Sequence, residues 1–151
     1  MGKLTDEMKR VLLQQRLIFV ATVDEDGTPN LSPKATTVVF DDDHIAFADI
    51  RSPRTVANVR RGGAMEINVI DAIVRKGFRF KGRAEVITEG PLLDRLLETM
   101  AERGVTNLIR AAVQLTVERA LPVVSPAYDQ GSTEELLREK FLAFYDAIHP
   151  R

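Results

Sequence analysis

At 151 residues, with 44% hydrophobic and 28% charged residues, the chain has the size and composition of one ordinary globular domain, not of a disordered or fibrous polymer. Its 21 basic and 22 acidic residues nearly cancel, which removes the whole-molecule field that draws proteins to nucleic acid or anionic lipid. The absence of cysteine excludes disulfides, thiolate nucleophiles and Cys-built zinc sites, and two histidines alone cannot furnish a metal cluster.

Thr5 followed by Asp6 and Glu7 reads as a helix start, with acids in the first turn and Met8, Val11 and Leu12 at helical spacing behind them. The stretch from Met1 to Gln15 is too polar for a secretory signal, and no run approaches the ~20 apolar residues of a membrane span, so a cytoplasmic protein that binds no membrane is expected. Leu17 to Val23 is β-branched and aromatic and runs into Asp24-Glu25-Asp26-Gly27, a strand and a tight turn. That strand is apolar on both faces and so calls for two buried surfaces. From Pro29 an extended pattern continues to Phe40, turns at Asp41 to Asp43 and returns as Ile45 to Asp49, completing an expected three-stranded meander. Ser52 and Pro53 suit the N-cap and first position of a short helix that carries Val56 and Val59 and stops at Arg60-Arg61-Gly62-Gly63.

Met65, Ile67 and Val69 alternate in the next strand. Phe78, Phe80, Gly82, Ala84 and Val86 then face one way and Arg79, Lys81, Arg83 and Glu85 the other. Leu92 to Met100 is helical in period, Val113 to Leu121 alternates as a late strand, and Ser132 with Glu135 forms a capping box for a last helix bearing Leu137, Phe141, Phe144 and Ile148. Hairpin order with short helices rules out a parallel βαβ sheet, whose neighbours need a crossover at each step. The expectation is a mainly β, α+β fold: a six-stranded antiparallel barrel with short peripheral helices, one domain over residues 1–151.

The segment Asp49-Ile50-Arg51-Ser52-Pro53-Arg54-Thr55-Val56-Ala57-Asn58 joins a strand end to a helix start and gathers two hydroxyls, two arginines and free backbone N–H groups, a combination suited to a phosphate. Taken by itself it is equally a plain capped helix with solvated arginines. The basic stripe of Arg75, Lys76, Arg79, Lys81 and Arg83 is what one solvated sheet face produces, and no nucleic-acid binding is expected from it. Asp24, Asp26 and Asp41 to Asp43 fit turns and lack the loop length and terminal glutamate of a calcium site, and no metal is expected. His44 and His149 read as surface residues, with no nucleophile elbow or ligand spacing to pair with them.

Pro29-Asn30-Leu31-Ser32-Pro33-Lys34, one hairpin before Phe47-Ala48-Asp49 and the Ser52-Pro53-Arg54-Thr55 helix start, resembles the FMN site of the pyridoxamine-phosphate-oxidase-like split-barrel family. The stretch Ala120-Leu121-Pro122-Val123-Val124-Ser125-Pro126-Ala127-Tyr128 is similar to one group of its members, and the resemblance covers most of residues 5 to 145. It implies an FMN-dependent oxidoreductase of a small organic substrate, working as a homodimer with the flavin at the subunit interface. By position it implicates Ser32, Pro33, Lys34, Ala48, Asp49, Ser52, Arg54, Thr55 and Asn58 in holding the cofactor, with Pro126 and Tyr128 covering the pocket or the substrate entrance. Within that set Lys34 and Arg54 would balance charge, Ser52 and Thr55 would donate to phosphate oxygens, and Ser32 and Asp49 would meet the ring or ribityl chain. The family's oxidase itself uses a pair of basic residues where Arg54 is here followed by Thr55, and its C-terminal arginine-rich signature is absent, so vitamin B6 oxidation is not expected. A flavin-binding carrier or sensor without turnover, and a barrel that holds haem or a deazaflavin, are the alternatives. No residue is singled out as catalytic.

Overall fold

A computed structural model describes residues 2–151. Its strands are β1 (Ile18–Val23), β2 (Pro29–Lys34), β3 (Val38–Val39), β4 (His44–Asp49), β5 (Ala64–Asp71), β6 (Lys76–Ile87) and β7 (Ala111–Val124). The helices are α1 (Asp6–Gln15), α2 (Pro53–Arg61), α3 (Pro91–Glu102) and α4 (Glu134–Ile148), with a 3-10 turn at Pro126–Gln130. The strands form one sheet in the order β2-β1-β5-β6-β7-β4-β3, and every pair in it is antiparallel.

The two edge strands, β2 and β3, are consecutive in the chain and separated only by residues 35–37. So short a link spans no more than ~14 Å, so the sheet must curl until its edges face each other across a gap, which makes a split barrel. Seven strands therefore replace the six expected. The extended run 29–40 is divided because its first half pairs with β1 and its second half with β4 at the opposite edge. The expected meander is corrected in the same way: β1–β2 and β3–β4 are separate hairpins, and the other neighbour of β1 is β5. The crossing residues are tied down individually. Ala48 N–H donates to Thr36 Oγ1 at 2.9 Å, and Thr37 Oγ1 donates to the Arg16 carbonyl at 2.6 Å.

Alternation decides what fills the barrel. Ile18, Val20, Ile45, Phe47, Ile67, Val69, Phe80, Val113 and Leu115 point inward, and Leu12 of α1 with Val56 and Val59 of α2 complete the same core. Outside, Leu93, Leu96 and Met100 of α3 cover Val38, Ala46, Ala48 and Ala112 on the β3–β4–β7 face. The outer face of β1–β2 has no such cover, and Leu17, Phe19, Val23 and Leu31 remain exposed there. Gly82 sits at a register shift between β6 and β7, where a Cβ would collide with the Thr116 carbonyl oxygen. Only glycine allows the strands to approach so closely at that bulge. In α4 the N-cap is Thr133, one residue beyond the expected Ser132, and its hydroxyl accepts from Leu136 N–H at 3.2 Å. Among the described residues, no helix is long and apolar enough to cross a membrane.

Candidate functional site

The β1–β2 hairpin and α2 form a seam beside the end of β4. On β2 the residues facing inward are Asn30, Ser32 and Lys34, opposite Thr22, Val20 and Ile18 of β1. Polar residues at these inward positions have to be satisfied by something other than core side chains. Helix α2 lies over them, burying Thr55, Val56, Asn58 and Val59 and leaving Arg54 and Ala57 exposed.

Ser52 occupies the N-cap of α2 with Pro53 behind it, as expected, yet its hydroxyl makes no capping bond. Instead Lys34 Nζ donates to Ser52 Oγ at 2.5 Å. An ammonium has only donors, so Ser52 Oγ is the acceptor there and its own proton is free to point elsewhere. Among the described residues, the N–H groups of Arg54 and Thr55 have no hydrogen-bond partner, while Val56 N–H makes the first bond of the helix, to the Ser52 carbonyl at 2.9 Å. The start of α2 thus presents two backbone donors, one hydroxyl donor and the positive end of the helix dipole to one cleft. That cleft has a volume of about 260 Å³ and is lined by Asn30, Ser32, Arg51, Ser52, Arg54 and Thr55 with their neighbours.

Lys34 is half-buried, which pushes its pKa below the ordinary lysine value, while the nearby Asp49 carboxylate pulls it back up. Asp49 closes β4 as a buried residue, 7% exposed, and its Oδ1 has no hydrogen-bond partner among the described residues. A buried acceptor in that condition costs free energy until a donor reaches it. Arg54 is 72% exposed in its side chain, with Nη1 3.9 Å from Asp24 Oδ2, so it hangs between the cleft and the hairpin tip.

The structure brings Ser32, Lys34, Asp49, Ser52, Arg54 and Thr55 to one place. Ala48 has its side chain in the cluster under α3, on the other side of β4, and Pro33 has its side chain on the exposed face of β2. Asn58 is fully engaged: Nδ2 donates to Thr22 Oγ1 and Asp24 Oδ1, each at 2.9 Å, and Oδ1 accepts from Arg61 at 2.6 Å. Pro126 and Tyr128 lie far off within one chain. Tyr128 Oη donates to the Val74 carbonyl at 2.6 Å, beside Lys76 at the start of β6, whereas Asp49 pairs with Ala111 next to the end of β6. The length of β6, on the order of 30 Å, separates them. Arg51, one of the two arginines read in the phosphate-suited segment, lines the cleft, whereas Asn30 and the anchor Asp24 were not assigned to the site from the sequence, because each looked like ordinary strand or turn chemistry there. His44 has a partner after all, with Nδ1 2.8 Å from the Asp41 carboxylate.

Residues 4–126 match the model of the family described as pyridoxamine 5'-phosphate oxidase. The chain belongs to the pyridoxamine 5'-phosphate oxidase family. Among solved structures, HupZ of Group A Streptococcus is 32% identical with a TM-score of 0.74, over 81% of this chain and 95% of that one. An FMN-binding protein of Syntrophomonas wolfei shares the family's fold at 18% identity and a TM-score of 0.70, over 80% of this chain and 86% of that one. The comparison with curated proteins gives no match. The matched span contains the whole β2–α2 seam and stops at Pro126, so α4 lies beyond it.

Proposed function

We propose that this chain binds FMN and works as an FMN-dependent oxidoreductase on a small organic substrate, in a homodimer whose subunits together enclose each flavin. The observation that carries the reading is the diverted cap: Ser52 is engaged by Lys34, which leaves the first backbone donors of α2 and the Ser52 proton available to a terminal phosphate. Lys34 balances the charge of the phosphate, and Arg54 reaches it from the exposed side.

The residues present fit the rest of FMN as well. Asp49 Oδ1 is a buried acceptor without a donor among the described residues, and a ribityl chain would supply hydroxyl donors. When bound, the isoalloxazine supplies hydride and single-electron chemistry, and the protein's part is to orient it and adjust its potential through nearby charge. The exposed apolar surface formed by Leu17, Phe19, Val23 and Leu31 supports the second subunit, since monomeric proteins seldom leave so many large apolar groups together in water.

The absorption spectrum of the purified protein, followed by titration with FMN and riboflavin, tests the reading. A flavin spectrum, or tight uptake of FMN with weaker uptake of riboflavin, is the expected result. A haem or deazaflavin band would replace the cofactor, and a colourless protein that ignores FMN overturns the assignment.

A further inference from the structure

The core of the barrel stops short of one of its ends. Directly paired residues share a face of the sheet, so Phe78 stands inside beside the buried Val69, and one layer further along the same face carries Asp71, Lys76 and Val124. Where this polar layer begins, a cavity of about 290 Å³ remains, walled by α1, the β5–β6 turn, the end of β7 and α4. Val11, Val74, Phe78 and Val123 give it an apolar lining. It lies at the start of β6, at the opposite end of that strand from the phosphate cleft.

Three contacts lay α4 across this mouth. Leu137 is buried under the helix, Lys76 Nζ lies 3.1 Å from Glu134 Oε1, and the Arg75 guanidinium stacks on the Phe141 ring at 3.7 Å from its centroid. Arg75 reaches that ring from a left-handed backbone, with φ 57°, which residues other than glycine seldom adopt. Its N–H donates to the Asp71 carbonyl at 2.8 Å, so the turn that closes β5 onto β6 also fixes the helix that roofs the cavity.

All but one of the charged side chains round the cavity are committed. Glu7 pairs with Arg10 along α1, Lys76 with Glu134, and Asp71 Oδ1 accepts from the N–H groups of Ile73 and Val74 at 2.9 and 3.3 Å. Arg138, one helical turn before Phe141, lines the cavity and takes part in no ion pair among the described residues. An apolar chamber whose one uncommitted charge is a guanidinium at the rim is complementary to an apolar body that carries a single anionic group. An apolar cavity of about 150 Å³ holds benzene, so this one takes a body roughly twice that size.

We propose that the cavity between α1, the barrel mouth and α4 is a second binding site, which takes a small aryl-substituted carboxylate with its ring on Val11, Val74, Phe78 and Val123 and its carboxylate on Arg138. This site is separate from the phosphate cleft and independent of the FMN reading.

The test is titration of the full chain with 3-phenylpropionate, 3-phenylpropan-1-ol and 3-phenylpropylamine, followed by the backbone amide NMR spectrum. The acid is expected to saturate with a dissociation constant on the order of a millimolar, as suits a ligand of its size, and to shift amides of residues 7–11, 71–78 and 134–138. It should bind about three- to fivefold tighter than the alcohol at low salt, with the amine weakest and the preference reduced at high salt. Arg138→Gln, on the exposed rim, should remove the preference for the acid while leaving the alcohol within about twofold, and Arg60→Gln, at the flavin end of the molecule, should change nothing. Val123→Trp, which fills the chamber, should abolish all binding, and should it fail to fold, Arg138→Gln and the map of shifted amides still decide. Absence of saturable shifts, or shifts centred on residues 17–31, overturns the site. Equal affinity for acid and alcohol, or a preference for the amine, overturns the anionic ligand. Displacement of the acid by added FMN also overturns the proposal, because it makes the cavity part of a flavin pocket, whereas a protein that binds the acid and ignores FMN removes the FMN reading alone.

Discussion

Lys34 Nζ stands 2.5 Å from Ser52 Oγ, and the hydroxyl at the N-cap of α2 is held by this ammonium with no capping bond of its own. An N-cap serine ordinarily accepts from a backbone N–H one turn ahead and so uses up the donors a phosphate would need. Here the ammonium is the hydroxyl's one donor, the side chain makes no capping bond, and the backbone donors stay free. The bond joins β2, at one edge of the sheet, to the helix that follows β4, the strand next to the other edge, so it ties the two sides of the barrel's gap together.

Lys34→Met should weaken FMN by about one to two orders of magnitude, in keeping with the ~1.5–3 kcal/mol of a charge-assisted hydrogen bond, and should affect riboflavin far less. Ser52→Ala should cost about tenfold, and the double variant should lose less than the sum, because each side chain acts through the other. Burial lowers the pKa of Lys34 in the free protein, so the folded state holds that proton less firmly than the unfolded chain does. The resulting penalty is fully present below the folded pKa and is relieved as pH rises towards the ordinary lysine value of 10.5. Relative to Lys34→Met, the ligand-free wild type should therefore gain stability with pH in the alkaline range, while its FMN affinity falls there. Denaturation and FMN titration across that range check both signs.

Arg54→Ala should weaken FMN by about tenfold, at the lower end for a charge-assisted bond because the side chain is exposed and shared with Asp24. Riboflavin should hardly respond. Arg83 is an imperfect control, since its Nη1 donates to the Gly62 carbonyl at the end of α2 at 2.8 Å. Arg60, exposed on the same helix, is the better one, and Arg60→Ala should leave both affinities alone. Equal losses in Arg54→Ala and Arg60→Ala would falsify a phosphate at the start of α2.

What the sequence made legible here is local. The hairpin at Asp24 to Gly27, the cap of α2 and the alternation along β6 depend on neighbours a few residues away, and all three stand in the structure. The division of residues 29–40 depends on which distant strands each half meets, so an unbroken extended pattern gave no sign of it. Ser52 shows the same limit within the site. Its place at the cap was readable from Ser-Pro, but its capture by a lysine 18 residues earlier was not. The three side-chain partners of Asn58 divide similarly, since Thr22 and Asp24 belong to a strand and turn more than thirty residues away.

Asn58 separates structure from binding. With both Nδ2 protons given to Thr22 and Asp24 and Oδ1 accepting from Arg61, it has no donor to spare for a phosphate and ties α2 to the hairpin. Asn58→Ala removes the donor that its amide supplies to the buried Thr22 hydroxyl, which should cost about 1–3 kcal/mol of stability in chemical denaturation. FMN affinity, measured where the variant is still folded, should fall less than in Lys34→Met. The reverse order would make Asn58 a direct ligand.

Strand β1 shows why a second subunit is expected. Its inward residues Ile18, Val20 and Thr22 are buried, but Phe19 and Val23 on the other face are 40% and 49% exposed, with Leu31 of β2 beside them at 67%. Residues Ala21 and Leu31 are cross-strand partners, so these side chains form one surface instead of scattered spots. Burying a large apolar side chain contributes roughly 1.5–3 kcal/mol, so a few of them together can hold two subunits. Phe19→Asp and Leu31→Asp place a charge on that surface without touching the barrel core. Each should convert a dimer into a folded monomer at micromolar concentration, with an unchanged far-ultraviolet spectrum, and should weaken FMN if two subunits share each flavin. Light scattering on the wild type and both variants decides it: a wild-type monomer that still binds FMN, or variant dimers as stable as the wild type, would place the subunit contact elsewhere or remove it.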